Sequence, residues 1–328
     1  MWSADQNSGM AAINIENLVK IFHVGFWKKR SVRALDDLTL QVETGEIFGF
    51  LGPNGAGKTT TLKILMDLLR PTSGSTRILG EPSGSPAMRR RIGYLPENPY
   101  FYDYLTAEEL LTYVGRLFGM AQPELGRKIE SLLESVGLAN SRKLQLRKFS
   151  KGMIQRIGIA QALLNDPEVV FFDEPMSGLD PLGRREVREV IRSLKCRGVT
   201  VFFSSHILPD VEAVCDRVAI MNRGKLMAAG ALEDILKVRI QGHEVILSRK
   251  DGLAEAALKP LGDEMTCLGD RVRLRAATGK QVQSILSAAL AHGAELISVT
   301  PIRPSLEDYF FKEMTGSKGH GSGQETNC

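Results

Sequence analysis

Residues 52–60 read GPNGAGKTT, in which Gly52, Gly57, Lys58 and Thr59 fill the frame G-x-x-x-x-G-K-[ST]. In the loop they share with Pro53, Asn54 and Ala56, Gly52, Gly55 and Gly57 lack Cβ, so at the glycines the chain can take left-handed dihedrals and bring N–H groups close around phosphate oxygens. Lys58 supplies a mobile positive charge for the outer phosphates, the Thr59 hydroxyl can complete a magnesium shell, and Thr60 follows in the same helical turn. These types at this spacing describe a loop that wraps a polyphosphate in main chain. A glycine-rich turn with no ligand would need neither the Lys-Thr pair nor the spacing.

A second cluster supplies reactive groups. Residues 169–172, VVFF, read as a strand buried on both faces and run into Asp173, Glu174 and Pro175. Two adjacent carboxylates at the carboxyl end of such a strand sit where open α/β sheets bind ligands. Asp173 can hold magnesium directly or through water, and Glu174 can polarise an attacking water as general base. Asp-Glu-Pro by itself is also a common solvated turn; downstream of a phosphate loop it describes a nucleotidase.

These groups need a sheet to hold them. Residues 47–51 form a short apolar run before the loop, and residues 60–69 carry apolar residues at helical spacing after it. Further strands are expected at 92–95, 169–173, 200–204 and 217–221, alternating with helical patterns, which predicts a mainly parallel sheet. Residues 13–17, 38–42 and 75–79 read as an antiparallel edge. Its hairpin tip, Phe26, Trp27, Lys28, Lys29 and Arg30, suits either a solvated turn or a contact with a membrane surface or an acidic loop of another protein. Residues 106–165 are strongly helical: Thr106 and Glu109 make a capping box, and a second helix at 123–136 is closed by Gly137. Beyond residue 230, strands at 245–247, 265–268, 272–274 and 296–299 with helices at 253–259 and 282–291 predict a small split-βαβ domain, followed by a capped helix at 304–311.

The remaining motifs narrow the reading. Ser150, Lys151 and Gly152 precede a long amphipathic helix, Ser177, Gly178, Leu179 and Asp180 follow closely on Glu174, and His206 ends another apolar strand. In this order, over about residues 13–230, the chain resembles the ATP-binding subunit of an ABC transporter, in the export-type branch that serves multidrug and antibiotic efflux. The resemblance implies an α/β P-loop NTPase fold with a mainly parallel sheet, an antiparallel β edge and a helical subdomain at about 100–165, plus a small α+β C-terminal domain. The expected domain order is a tail at 1–11, the ATP-binding domain at 12–230, an accessory domain at 231–312 and a second tail at 313–328.

The same resemblance assigns roles. It implies ATP and Mg²⁺ as ligands, with Lys58, Glu174 and His206 catalytic and His206 on the γ-phosphate. Phe22 matches the aromatic that stacks on adenine, although a core aromatic fits the position equally and Trp27 competes for the role. Glu97 stands where the family usually has the Gln that bridges Mg²⁺ and the transmembrane partner; glutamate keeps an oxygen ligand and adds charge. Asp180 matches the aspartate that reaches across a dimer interface. The signature loop, usually Leu-Ser-Gly-Gly-Gln, is here Phe149, Ser150, Lys151, Gly152 and Met153. Ser150 and Gly152 keep a hydroxyl and a close backbone approach for the γ-phosphate bound to the opposite subunit, and Lys151 could add a cation. Met153 cannot make the polar contacts of a Gln. A working variant and an ATP-binding scaffold both stay open, with Lys58, Asp173, Glu174 and His206 favouring the former. A homodimer with ATP at its interface is the expected catalytic form.

Composition points to the compartment. A net charge of +4 over 328 residues, with both signs interspersed, marks no nucleic-acid surface. Cys196, Cys215, Cys267 and Cys328 are widely spaced, as expected of free thiols in a reducing compartment. No run approaches the ~18 apolar residues of a membrane span, and residues 1–10 lack a signal-peptide pattern. The expectation is a cytoplasmic subunit, peripheral on the inner face of the cell membrane, whose pore is a separate polytopic permease. Tyr100, Phe101, Tyr102 and Tyr104 crowd one turn-like segment, either as the socket for the permease's cytoplasmic helix or as core beneath the helical subdomain. A non-transport ABC ATPase is the alternative. One phosphate loop, no sustained heptads and no zinc-type cysteines argue against its ribosomal, chromosomal and repair forms.

Overall fold

The computed structural model describes residues 11–25, 30–236, 242–248 and 258–302. The chain forms two compact units that divide between Leu232 and Glu233.

In the first unit, β1 (Ala11–Val24) and β2 (Arg30–Glu43) make a long antiparallel hairpin. With β4 (Ser73–Ile78) and the two-residue β5 (Glu81–Pro82) they form a sheet of order β2-β1-β4-β5. The strands outrun the expected 13–17 and 38–42 because register shifts between Ile15 and Lys20 break the two-residue alternation, with Asn17 and Asp37 at positive φ. Ala11 pairs with Glu43, so it belongs to the sheet and not to the expected tail. The expected tail residues 1–10 and the tip residues 26–29, Trp27 included, lie outside the described residues.

The second sheet carries the chemistry. Its order is β10-β9-β3-β8-β7-β6, built from β3 (Ile47–Leu51), β6 (Ile92–Leu95), β7 (Val169–Asp173), β8 (Thr200–Ser205), β9 (Arg217–Asn222) and β10 (Lys225–Ala231). All pairs are parallel except β9 with β10. Every residue of β3, β7 and β8 is buried, which explains their continuous apolar reading. Phe202 sits at the centre, its ring 5.2 Å from Phe50, 5.7 Å from Phe48 and 5.8 Å from Phe171. The sequence gives little sign of β10, because Met-Ala-Ala-Gly has weak strand propensity and only pairing with β9 recruits it.

Helices connect the strands: α1 (Lys58–Leu65), α2 (Pro86–Arg89), α6 (Pro181–Cys196) and α7 (Leu208–Glu212). A helical subdomain of α3 (Ala107–Leu117), α4 (Glu124–Ser135) and α5 (Lys151–Ala162) is inserted between β6 and β7. Both expected signals are there: Thr106 and Glu109 exchange capping hydrogen bonds, and Gly137, just past α4, is left-handed at φ 67°. The described part of α8 (Leu232–Leu236) follows β10.

The second unit is a four-stranded antiparallel sheet of order β12-β13-β11-β14, from β11 (Gly242–Ser248), β12 (Glu264–Leu268), β13 (Arg271–Ala276) and β14 (Leu296–Ile302). Strand β13 separates β11 from β12, the split that the β-α-β-β-α-β order predicts. Helix α9 (Gly279–Ala291) opens on a Thr278–Gln281 capping box, and its Val282, Ile285 and Ala289 join Val245, Leu247, Val272 and Leu274 in a separate core. Most of the expected helix at 253–259, the helix at 304–311 and the tail at 313–328 lie outside the described residues.

Candidate functional site

The phosphate loop leaves the carboxyl end of β3 and enters α1 through Gly57, which caps the helix at φ 107°. A Cβ at Gly57 would stand 2.7 Å from Leu35 Cδ2 and 2.8 Å from the Ala34 carbonyl oxygen, so both dihedral and space demand glycine. Gly52 departs from the expected left-handed turn. It has no positive φ; glycine is needed because a Cβ would come 2.5 Å from the Met221 carbonyl oxygen on β9. Gly57→Ala is expected to destabilise the chain by about 2 kcal/mol or more through strain and overpacking, read as a lowered denaturant midpoint.

Lys58 is buried, and its ammonium folds back over the loop. It donates to the Gly52 carbonyl at 2.6 Å and to that of Pro53 at 3.4 Å, and pairs with Glu174 Oε1 at 3.3 Å. Glu174 Oε2 in turn meets His206 Nδ1 at 2.8 Å. The carboxylate is thus held from both sides at the mouth of the loop. Glu174 has φ 51°, a left-handed conformation uncommon outside glycine that turns the chain sharply off the end of β7.

Asp173, the last residue of β7, is 1 % exposed. Burial pushes its carboxyl above the usual range, opposed by hydrogen bonds from Ser204 and Thr59. Ser204 Oγ donates to Asp173 Oδ1 at 2.5 Å while accepting the Glu174 N–H at 3.0 Å, and Thr59 Oγ1 reaches the same Oδ1 at 3.4 Å. Sequence reasoning missed Ser204, although it was signalled as a hydroxyl closing an apolar strand, opposite Asp173 in the parallel register. Tyr94, on neighbouring β6, is pushed up to about 12 by burial and then by the charge of Asp173.

The loop and Glu174 border a cleft of about 640 Å³, whose lining does not include Asp173, Ser204 or Tyr94. Residues 53–60 form its floor, and Glu97, Glu174 and His206 line its sides. Ser177, the first residue of the Ser177–Asp180 motif, lines it too, as do residues 32–34 of β2, which no motif marked. Phe22 does not line the cleft; it pairs across the hairpin with Val32, which does, and Lys20 Nζ lies 5.1 Å from its ring. Thr59, which lines the cleft, sets its hydroxyl beside the Asp173 carboxylate, a hard-oxygen pair that suits Mg²⁺. Among the described residues no three His, Cys, Asp or Glu side chains gather to hold a metal, so such an ion would share its shell with phosphate oxygens.

The other expected ligands lie outside this cleft. Ser150 and Lys151 are exposed at the start of α5, where Ser150 Oγ accepts the Met153 N–H at 3.3 Å as the N-cap. Lys151 lies against Gly178: a Cβ there would be 2.3 Å from its Nζ. The same placement at Gly152 would meet Leu179 at 3.5 Å. Asp180 is exposed and caps α6 through Gly183 N–H at 2.8 Å. So Ser150, Lys151, Gly152 and Asp180 cluster with one another and not with Lys58 of the same chain.

Comparison with known proteins agrees with this geometry. The family model described as "ABC transporter" matches residues 35–177. The ABC transporter ATP-binding protein sll0415 of Synechocystis sp. is 50 % identical over 298 residues, 90 % of this chain and 82 % of that protein. The bacitracin transport ATP-binding protein BcrA of Bacillus licheniformis is 38 % identical over 291 residues, 87 % of this chain and 94 % of that one. A solved ATP-binding subunit of an ABC transporter superposes with a TM-score of 0.61 at 33 % identity, covering 69 % of this chain and 92 % of its own. Kinship over nine-tenths of the sequence and a phosphate loop at the head of a parallel sheet lead to one conclusion: the chain belongs to the family of ABC transporter ATP-binding subunits.

Proposed function

We propose that this subunit hydrolyses ATP between two copies of itself and so powers export through a separate permease. The observation that carries the reading is Glu174, whose carboxylate is fixed between Lys58 and His206 at the mouth of the loop. Lys58 and the amides of residues 52–60 would hold the phosphates, with Thr59, Asp173 and Glu97 around magnesium. Bound there, the ion would supply positive charge that neutralises the charge developing on the outer phosphates. Glu174 would take a proton from the attacking water, with His206 orienting the carboxylate and reaching the γ-phosphate. Phe22, beside Val32, would stack on the adenine. Ser150, Lys151, Gly152 and Asp180 do not line their own cleft, which supports their completing the site of a second copy.

Magnesium-dependent phosphate release by the purified chain tests hydrolysis directly; none at saturating ATP rejects it. Export is supported by the relative named for bacitracin transport. In the described residues no helix is long and apolar enough to cross a membrane, and a peripheral place on the inner face of the cell membrane fits that. The described C-terminal unit gathers no catalytic constellation; dimerisation or regulation is the role we assign to it.

The permease would dock at the aromatic segment. A groove of about 500 Å³ is lined by Tyr100, Phe101 and Tyr102 together with Tyr94 of β6 and Leu110 and Tyr113 of the helical subdomain. Phe101 is half-buried and suits core packing, but Tyr100 is 95 % exposed, Tyr102 53 % and Tyr104 60 %. Tyr104 stands beside the groove, its ring 5.9 Å from that of Tyr102. An apolar cytoplasmic helix of the permease would cover these rings, as aromatic anchors commonly dominate such contacts. Tyr100→Ala with Tyr102→Ala should cost the complex about 2–4 kcal/mol while basal ATP hydrolysis is kept. Transport in reconstituted vesicles measures it, and undiminished transport rejects the socket.

A further inference from the structure

Asp210 lies in α7, four residues after His206, and is 2 % exposed. Its carboxylate faces α6. Arg188 Nη1 donates to Oδ1 at 3.4 Å, Arg184 Nη1 stands 3.7 Å from Oδ2, and Oδ2 has no hydrogen-bond partner. A buried carboxylate with long, incomplete contacts is a poor device for stability, since an apolar side chain of like volume commonly does as well or better. Its position offers a different use.

Arg184 also donates from Nε to the Leu179 carbonyl at 3.2 Å, so one guanidinium joins the buried carboxylate to the loop 177–180 that carries Asp180. The Ser177 N–H at the other end of that loop donates to the Glu174 carbonyl at 3.0 Å. His206 Nδ1 sits 2.8 Å from the Glu174 carboxylate. The connection runs from Glu174 to His206 by this contact, along the main chain of residues 206–210 to Asp210, across to Arg184 and Leu179, and back along the loop to Ser177 and Glu174. A second tie, from Arg192 Nη2 to the Ala213 carbonyl at 2.8 Å, keeps the far ends of α6 and α7 together.

We infer that Asp210 is a positioning residue which, through Arg184, fixes His206 and the Asp180 loop relative to each other. The group on Glu174 and the loop facing a second copy then shift together, and neither moves alone. Closure by the second copy reaches the carboxylate along this route. The inference rests on Glu174 and His206 forming the hydrolytic site.

The test uses the full chain as Asp210→Asn and Arg184→Gln, the second removing a side chain that is about one-third exposed. Two readouts are taken. The imidazole nitrogen signals of the five histidines are recorded, with His206 identified by the signal lost in His206→Gln. Steady-state hydrolysis of magnesium ATP gives kcat and KM. In both variants the His206 signal is expected to move while the others hold, and kcat to fall about threefold to thirtyfold with KM within about twofold. An unmoved His206 signal in folded Arg184→Gln overturns the inference, as does an unchanged kcat in a hydrolysing background. If Asp210→Asn does not fold, Arg184→Gln decides alone. A wild-type chain that releases no phosphate defeats the hydrolytic reading instead, and the His206 signal still reports on the connection.

Discussion

Glu174→Gln is expected to lower ATP turnover about a hundredfold to ten-thousandfold, the range for losing a positioned general base, with nucleotide affinity nearly unchanged. The amide keeps the volume of the carboxylate and an oxygen toward Lys58, and the left-handed backbone at residue 174 is strained equally by either residue. The lost property is the capacity to take a proton from water. Asp173, Thr59 and Ser204 are untouched, so the metal corner survives. Single-turnover phosphate release beside equilibrium binding of a fluorescent nucleotide separates the two effects. Turnover at the wild-type rate would remove Glu174 from the role assigned to it.

Lys58→Met acts one step earlier. In the proposed site the ammonium, held here by the loop carbonyls, would meet the outer phosphates, and charge-assisted hydrogen bonds of this kind contribute roughly 1.5–3 kcal/mol each. Affinity for magnesium ATP should fall at least about thirtyfold, and turnover further, because phosphate alignment is lost as well. The variant also leaves the Glu174 carboxylate buried without its cation, with His206 as its remaining partner, so stability should drop by about 3–5 kcal/mol. Calorimetric titration with ATP and a denaturant midpoint read these separately. ATP affinity within about threefold of wild type would place the nucleotide elsewhere.

The loop, the two carboxylates and the histidine could be read from the sequence because each lies at the end of a short, fully buried strand, where apolar runs stop abruptly at polar residues. Parallel strands buried on both faces carry little else. The capping box at Thr106 and the glycine after α4 were equally legible, since both signals are local. What escaped depends on pairing between distant segments. The hairpin of β1 and β2 hides its length behind register shifts, and β10 exists because β9 offers an edge. Ser204 gains its role by lying opposite Asp173, and Val32 by lying beside the loop. The second half of the proposed site is a special case: Ser150, Lys151 and Asp180 lie on the surface of one chain, and in the proposed dimer their ligand would belong to another.

Sedimentation of the Glu174→Gln chain with magnesium ATP and, in parallel, with magnesium ADP tests that account most directly. Two copies closing on ATP predict a dimer with the triphosphate, which this variant would cleave only slowly, and a monomer with the diphosphate. A chain that binds ATP and remains monomeric at micromolar concentration would contradict it.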